Sequence, residues 1–394
     1  MPLSTSSSEF EQNLADQSST DRPGFVSQTA SDRPGVAQPV AQRHIPKQPW
    51  GRIWLLALAL FGIALAGWEL HWRAYGAAPS YANSNSSWAE QRRRIDSGEG
   101  NHLVLVGSSR TLFDIQLPVW EKLGGERPIQ LALEGTSGIV LMEDLADDPN
   151  FTGRLVVGVA PDLFFTGFAY RADAIKDFHR VGPSARVGQW LSQHLIEPYF
   201  AFYDPDFALG TIVKRQDWPN RPGVPDRLAV RKLSVSEADR NTHMWSKVEN
   251  DLAYRDLARH IWSQRLNGPP PPPLATPEKA RQVIAKQIDR AVSAVTRLRA
   301  RGVQVVFLRL PSTADFYAFE NHAFPRAATW DVLLQRTHSS GIHFEDYPQL
   351  QGYNLPEWSH VAAADALTLT AELVPLVNGL FMPASADGTR LGAN

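Results

Sequence analysis

The sequence predicts an α/β chain: a parallel sheet of about five strands with helices on both faces, preceded by one transmembrane helix. Three observations carry that expectation. Short uninterrupted apolar runs recur, each ending in a Gly, Ser, Pro or acidic loop. Helical periodicity fills the spaces between them. One long apolar stretch near the start lacks charge altogether.

The apolar runs come first. Leu103 to Val106 leads into Gly107-Ser108-Ser109, and Ile129 to Leu133 leads into Glu134-Gly135-Thr136-Ser137. Leu155 to Ala160 ends at Pro161-Asp162, Val303 to Leu310 at Pro311-Ser312, and Ile342 to Phe344 at Glu345-Asp346. Runs of this length without polar alternation suit strands buried on both faces. The clearest helix spans Pro277 to Arg301. Thr276 is a good N-cap, Pro277 fits the first turn, and Gly302 fits the C-terminal end. Val283, Ile284, Ile288, Ala291, Val292, Val295 and Leu298 recur at three-and-four spacing. A last helix is expected over about Ala362 to Leu376.

Ile53 to Trp68 carries no ionisable group, and only Glu69 and His71 interrupt the run up to Trp72. Twenty helical residues span about 30 Å, the thickness of a bilayer's hydrocarbon core. Trp54, Trp68 and Trp72 sit at its edges. Arg43, Lys47 and Arg52 precede it, which favours a cytoplasmic N-terminus and an exported remainder. A signal peptide cleaved after Ala64-Leu65-Ala66 and a buried soluble helix are the alternatives.

Residues 1–50 are rich in Ser, Thr, Gln, Pro and Asp, and repeat Asp21-Arg22-Pro23-Gly24 as Asp32-Arg33-Pro34-Gly35. Such composition reads as a disordered cytoplasmic tail. The organisation is then an anchor at 53–72, a linker at 73–100, an α/β domain at 101–380 and a C-terminal tail at 381–394. A largely helical insertion occupies about 170–275, closed by the polyproline run Pro269 to Pro273. Its aromatics, Trp190, Tyr199, Phe202, Tyr203 and Trp218, are candidates for stacking on sugar rings or for plain packing.

Composition excludes several classes. With 39 basic against 41 acidic residues there is no basic excess for nucleic acid. With no cysteine there is no disulfide, thiolate metal site or cysteine nucleophile. No His-x-x-x-His or clustered carboxylate motif suggests a metal, and no cofactor is expected.

The chemistry-bearing residues fall at the carboxyl ends of the strands, where open parallel sheets bind ligands. Ser109 follows the first strand at a tight turn into a helix, whose N-terminus offers N–H groups to an anion. Glu357 lies three positions before His360, close enough to fix the imidazole tautomer for a general base. Gly135, after the second strand, lets the backbone approach a reacting centre and present an N–H to an oxyanion.

This order (Gly-x-Ser early, a glycine loop next, acid-x-x-His late) resembles the SGNH, or GDSL-type, hydrolase superfamily. The serine of that family's Gly-Asp-Ser block aligns with Ser109, and its Asp-x-x-His block with Glu357-Trp358-Ser359-His360, followed by Val361 and Asp365-Ala366. The resemblance covers roughly residues 100–170 and 300–378 and implies a flavodoxin-like strand order. It implies Ser109 as nucleophile, His360 as base, Glu357 as orienting acid, and the N–H groups of Ser109 and Gly135 as the oxyanion hole. The sequence departs from the pattern at Ser108 and Glu357, where the family has Asp. It departs again at Ala160-Pro161-Asp162, where the family supplies an oxyanion Asn. Arg110 and Arg309 are candidates to substitute for that Asn, or else ion-pair formers.

The Gly-Ser-Ser-Arg block, Pro161 and the anchor resemble a membrane-tethered, periplasmic branch linked to polysaccharide O-acylation. That implies acyl transfer or ester hydrolysis on a cell-envelope polysaccharide, beside a membrane-bound O-acyltransferase partner at the bacterial inner membrane. A non-catalytic scaffold in the same kind of complex is the alternative, favoured by the missing Asn.

Overall fold

The computed structural model describes residues 48–216 and 231–381. The expected tail before residue 48, the C-terminal tail beyond Phe381, and Trp218 lie outside the described residues. Contacts divide the chain into two units, Met1–Phe61 and Gly62–Asn394. The described part of the first is the start of helix α1.

Helix α1 runs Trp50–Tyr75, three residues beyond the expected span at each end, and buries no residue. It is long and apolar enough to cross a membrane, with a mean hydropathy of 2.0 in its most apolar window. Helix α2 (Asn85–Arg94) lies in the segment expected as a linker. That segment is packed: Trp88 and Ala89 are fully buried in the main core, and Arg92 pairs with Asp144 at 2.7 Å. Strand β1 (Leu103–Val106) is followed by α3 (Ser109–Asp114) and α4 (Leu117–Gly124), then β2 (Ile129–Gln130) and α5 (Gly138–Asp147). Strand β3 (Arg154–Gly158) closes this first half. The β2 run continues as expected beyond its formal end, since Leu131 and Leu133 N–H groups bond Leu105 and Gly107 carbonyls at 2.8 and 3.0 Å.

The region about 170–275 is mostly helical, with α6 (Pro183–Leu195) and α7 (Leu252–Leu266) its longest helices. It also contains an antiparallel hairpin of β4 (Ser234–Ser236) and β5 (Thr242–Met244), which no apolar pattern in the sequence announces. Buried Arg240 at the hairpin turn donates to the Gln130 and Ala132 carbonyls at 2.9 and 2.7 Å, tying the hairpin to the end of β2. The proline run is only partly a polyproline connector, because Pro272–Leu274 forms a 3-10 turn.

Helix α8 (Pro277–Arg299) feeds β6 (Gln304–Arg309), and Thr276 caps it through Lys279 N–H as expected. Helices α9 (Ala314–Ala323) and α10 (Trp330–Thr337) lead to β7 (Ser340–His343), and α11 (Ala363–Phe381) ends the described chain. Phe381, expected in the tail, is a buried residue of α11.

The sheet is parallel throughout, in the order β2-β1-β3-β6-β7. Counting only its own strands this is 2-1-3-4-5, the flavodoxin-type order. Alternate side chains serve opposite faces. Val104, Val106, Leu155, Val157, Val305 and Phe307 meet α5, α8 and α10 on one face. Leu103, Leu105, Val156, Val306 and Leu308 meet α4 and α11 on the other. Helix α11 is also long and apolar enough to cross a membrane, but Ala366, Leu369, Leu373 and Val377 bury its apolar stripe against the sheet. A third cluster, including Phe113, Phe207, Met244 and Trp245, packs the 200–258 region beside the carboxyl edge.

Candidate active site

The end of β1 sets the site. Gly107 has φ +150°, and a Cβ there would collide with Thr111 Oγ1 and approach Gly158 Cα, so the turn into α3 requires glycine. Ser108 is the N-cap in extended conformation, and Ser109 is the first residue of α3. One turn on, Phe113 lies against His360 with ring centroids 4.4 Å apart. Gly135 has φ +58° in the loop after β2, where its carbonyl accepts from Tyr170 N–H at 3.0 Å. Neither Ser109 N–H nor Gly135 N–H has an acceptor among the described residues.

A cavity of about 650 Å³ is lined by Ser109, Gly135 and His360 together. Glu357 lies behind His360 and is fully buried. Its Oε1 accepts from His360 Nδ1 at 2.8 Å and from His360 backbone N–H at 2.6 Å. Its Oε2 accepts from the Trp262 indole N–H at 2.5 Å. Burial works against ionisation of Glu357, but His360 and the hydrogen bonds from His360 and Trp262 outweigh it and hold the carboxyl below its ordinary value. With Nδ1 as donor, the lone pair of the neutral ring lies on Nε2. His360 Nε2 is buried and has no hydrogen-bond partner among the described residues, so no bond joins it to Ser109.

The two arginines raised as oxyanion candidates form ion pairs. Arg110 Nη1 meets Glu320 Oε1 at 2.8 Å, and Arg309 Nη2 meets Glu320 Oε2 at 2.7 Å. Arg110 Nε also donates to the Ser359 carbonyl at 3.1 Å, which fixes the backbone beside His360. Asp162 stands just past β3, in the one-turn helix Pro161–Phe164, at the place where the SGNH pattern would supply Asn. It lines the cavity and pairs with Arg265 of α7. Burial raises its pKa against the pull of Arg265.

Sequence reasoning missed three residues. Trp262 of α7 holds the far oxygen of Glu357. Phe113 flanks the imidazole. Asp114 accepts from Val361 N–H at 3.0 Å, while its Oδ2 stays buried without a partner among the described residues. Only Phe113 had a local signal, one helical turn after Ser109. Trp190, Tyr199, Phe202 and Tyr203 do not line the cavity; its aromatic lining includes Tyr81, Phe113, Phe168, Tyr170, Trp262 and Phe316. Among the described residues no group of three His, Asp or Glu side chains is placed to hold a metal ion.

No protein-family model matches the chain, and no curated protein matches it.

Proposed function

We propose that the chain is a serine-type acyl-transfer enzyme. The observation that supports it is the buried Glu357–His360 pair, whose Nε2 has no partner among the described residues, in a cavity that Ser109 also lines. In this reading Ser109 Oγ attacks an ester carbonyl as His360 Nε2 takes its proton. The tetrahedral oxyanion is held by the N–H groups of Ser109 and Gly135. As it collapses, the C–O bond to the leaving alkoxide breaks and His360 returns the proton to that oxygen. An acceptor hydroxyl, of sugar or water, then gives its proton to His360 and attacks the acyl-Ser109 ester; the acyl–Oγ bond breaks and His360 returns the proton to Ser109 Oγ. Glu357 stays ionised and steadies the imidazolium.

The substrate class proposed is a cell-envelope polysaccharide that is O-acylated or deacylated, with α1 as a single-pass anchor and the domain on the periplasmic side of the inner membrane. A membrane-bound O-acyltransferase is the proposed source of the acyl group. The second reading is a non-catalytic partner in the same kind of complex. The Asp162–Arg265 pair just past β3, where an oxyanion Asn would stand, favours that reading.

Reaction of the purified full chain with a fluorophosphonate serine probe separates the two readings. Covalent labelling that vanishes in Ser109→Ala is expected. A folded wild-type chain that stays unlabelled overturns the catalytic reading and leaves the scaffold.

A further inference from the structure

Helix α6 is turned inside out. Val187, Trp190, Leu191 and Leu195 follow three-and-four spacing and form one apolar stripe. In a helix packed on a domain that stripe faces the core. Here Trp190 is 53% and Leu195 58% exposed, and the one buried residue of the helix is polar Gln193, on the opposite side. Tyr199 and Phe200, just beyond the helix, are exposed as well.

The surroundings say what covers this stripe. Glu69 is the one acidic residue in the apolar run of α1, and its carboxylate accepts the N–H groups of Ala201 and Phe202, each at 3.0 Å. Arg73 donates to the Tyr199 carbonyl at 3.0 Å. Trp72 stacks on Phe207 with centroids 4.6 Å apart. The segment that follows α6 is therefore clamped to α1 where its apolar run ends, at the level of the lipid headgroups if α1 spans. Behind it, the Ser192 hydroxyl and the Ala82 N–H donate to the two oxygens of buried Glu197 at 2.6 and 2.8 Å, which keeps the polar side of α6 turned toward the domain.

We infer that α6 is an interfacial helix, with Val187, Trp190, Leu191 and Leu195 seated in the headgroup–acyl boundary of the bilayer that α1 crosses. Exposed aromatics and a one-sided apolar stripe are what such helices present to lipid. The inference rests on α1 being a span. It has a consequence for the cavity: the chain runs from this segment into Asp204 and Asp206, which line the cavity, so that part of the lining lies near the membrane surface.

The chain contains no cysteine, so single cysteines can be labelled cleanly. Ile63→Cys in α1, Leu195→Cys in α6 and Leu123→Cys in α4 are exposed positions for an environment-sensitive fluorophore. The full chain is reconstituted alone in phosphatidylcholine–phosphatidylglycerol vesicles, with and without nitroxide-bearing lipid. The labels at Ile63 and Leu195 should emit blue-shifted and lose most of their fluorescence to the nitroxide, while the label at Leu123 stays unquenched. Quenching at Ile63 but not Leu195 overturns the docking and keeps the span. A blue-shifted, unquenched label at Leu195 whose emission depends on protein density means a second copy covers α6, and overturns it too. No quenching at Ile63 removes the span and the docking together.

Discussion

Two buried glutamates stand beyond the carboxyl edge of the sheet, and they differ in their partners. Glu320 lies between the guanidiniums of Arg110 and Arg309, with Ser312 Oγ at 2.7 Å. Glu357 lies between an imidazole and an indole. In both, burial opposes ionisation and the partners overcome it, so both carboxyls are held below their ordinary value. Arginine does not titrate in the working range, so neither guanidinium partner of Glu320 exchanges a proton, and the value of these pairs is positional. The partner of Glu357 can gain and lose a proton, and its outer nitrogen is unsatisfied among the described residues. A closed ion cluster is architecture, whereas an acid–imidazole pair with one open end is equipment for proton transfer.

Glu320→Gln breaks the closed side of this comparison and carries the largest expected loss. Two guanidiniums would share a neutral amide in a buried site, and removing one partner of a buried ionic group costs about 3–5 kcal/mol. Chemical denaturation should show that loss, while fluorophosphonate labelling per folded molecule changes little. If stability is unchanged, the cluster is not the positional element described. If labelling falls in step with Glu357→Gln, the two glutamates form one functional unit and the contrast fails.

Glu357→Gln breaks the open side. Removing the orienting carboxylate of a serine-protease triad costs about 10⁴-fold in rate; here about 10²–10³-fold is expected for turnover of an aryl ester. An amide also offers only one acceptor oxygen where His360 and Trp262 donate from two sides, so some stability is lost as well, about 1–3 kcal/mol. His360→Ala should cost at least as much activity. A Glu357→Gln rate within about threefold of the parent, with His360→Ala inactive, would reduce the machinery to a Ser109–His360 dyad.

The contrast also explains what could be read from sequence. Strands β1, β3 and β6 were legible because burial on both faces leaves unbroken apolar runs, and α8 because Thr276, Pro277 and its apolar stripe agree. Ser109 stood out because it follows a strand end, and His360 because Glu357 stands three positions before it, just ahead of the last helix. The hairpin was not legible. Its three-residue strands, Ser-Val-Ser and Thr-His-Met, lack a hydrophobic pattern, and Arg240 fixes their place through carbonyls about a hundred residues away in sequence. The core role of Trp88 was hidden by the polar composition of its helix. Trp262 could not be assigned because its bond to Glu357 exists only once α7 packs across the site. The ionic partners of Arg110 and Arg309 were likewise a tertiary fact, as was the outward stripe of α6.

A third carboxyl sharpens the comparison. Asp114 is buried beside His360, and burial pushes its pKa up from 3.8 to about 7, against the pull of His360 and the Val361 N–H. Its Oδ2 has no partner among the described residues. Unlike the two glutamates, this carboxyl is not held ionised by its surroundings. The sign of its pH effect follows from the raised value. Below about pH 4 it is protonated folded and unfolded, so it imposes no penalty. Between about pH 4 and 7 the folded state keeps a proton that the unfolded chain has released, so stability falls as pH rises, by at most about 1.4 kcal/mol per pH unit. Above about pH 7 the folded state ionises too and the penalty is constant. Asp114→Asn keeps an oxygen for Val361 N–H and removes the titration. Its stability relative to the parent should therefore rise from about pH 4 to about pH 7 and level off above. A difference between the two proteins that is flat from about pH 4 to about pH 8, measured by urea unfolding at each pH, would mean that Asp114 is ionised in the folded chain, as Glu320 and Glu357 are.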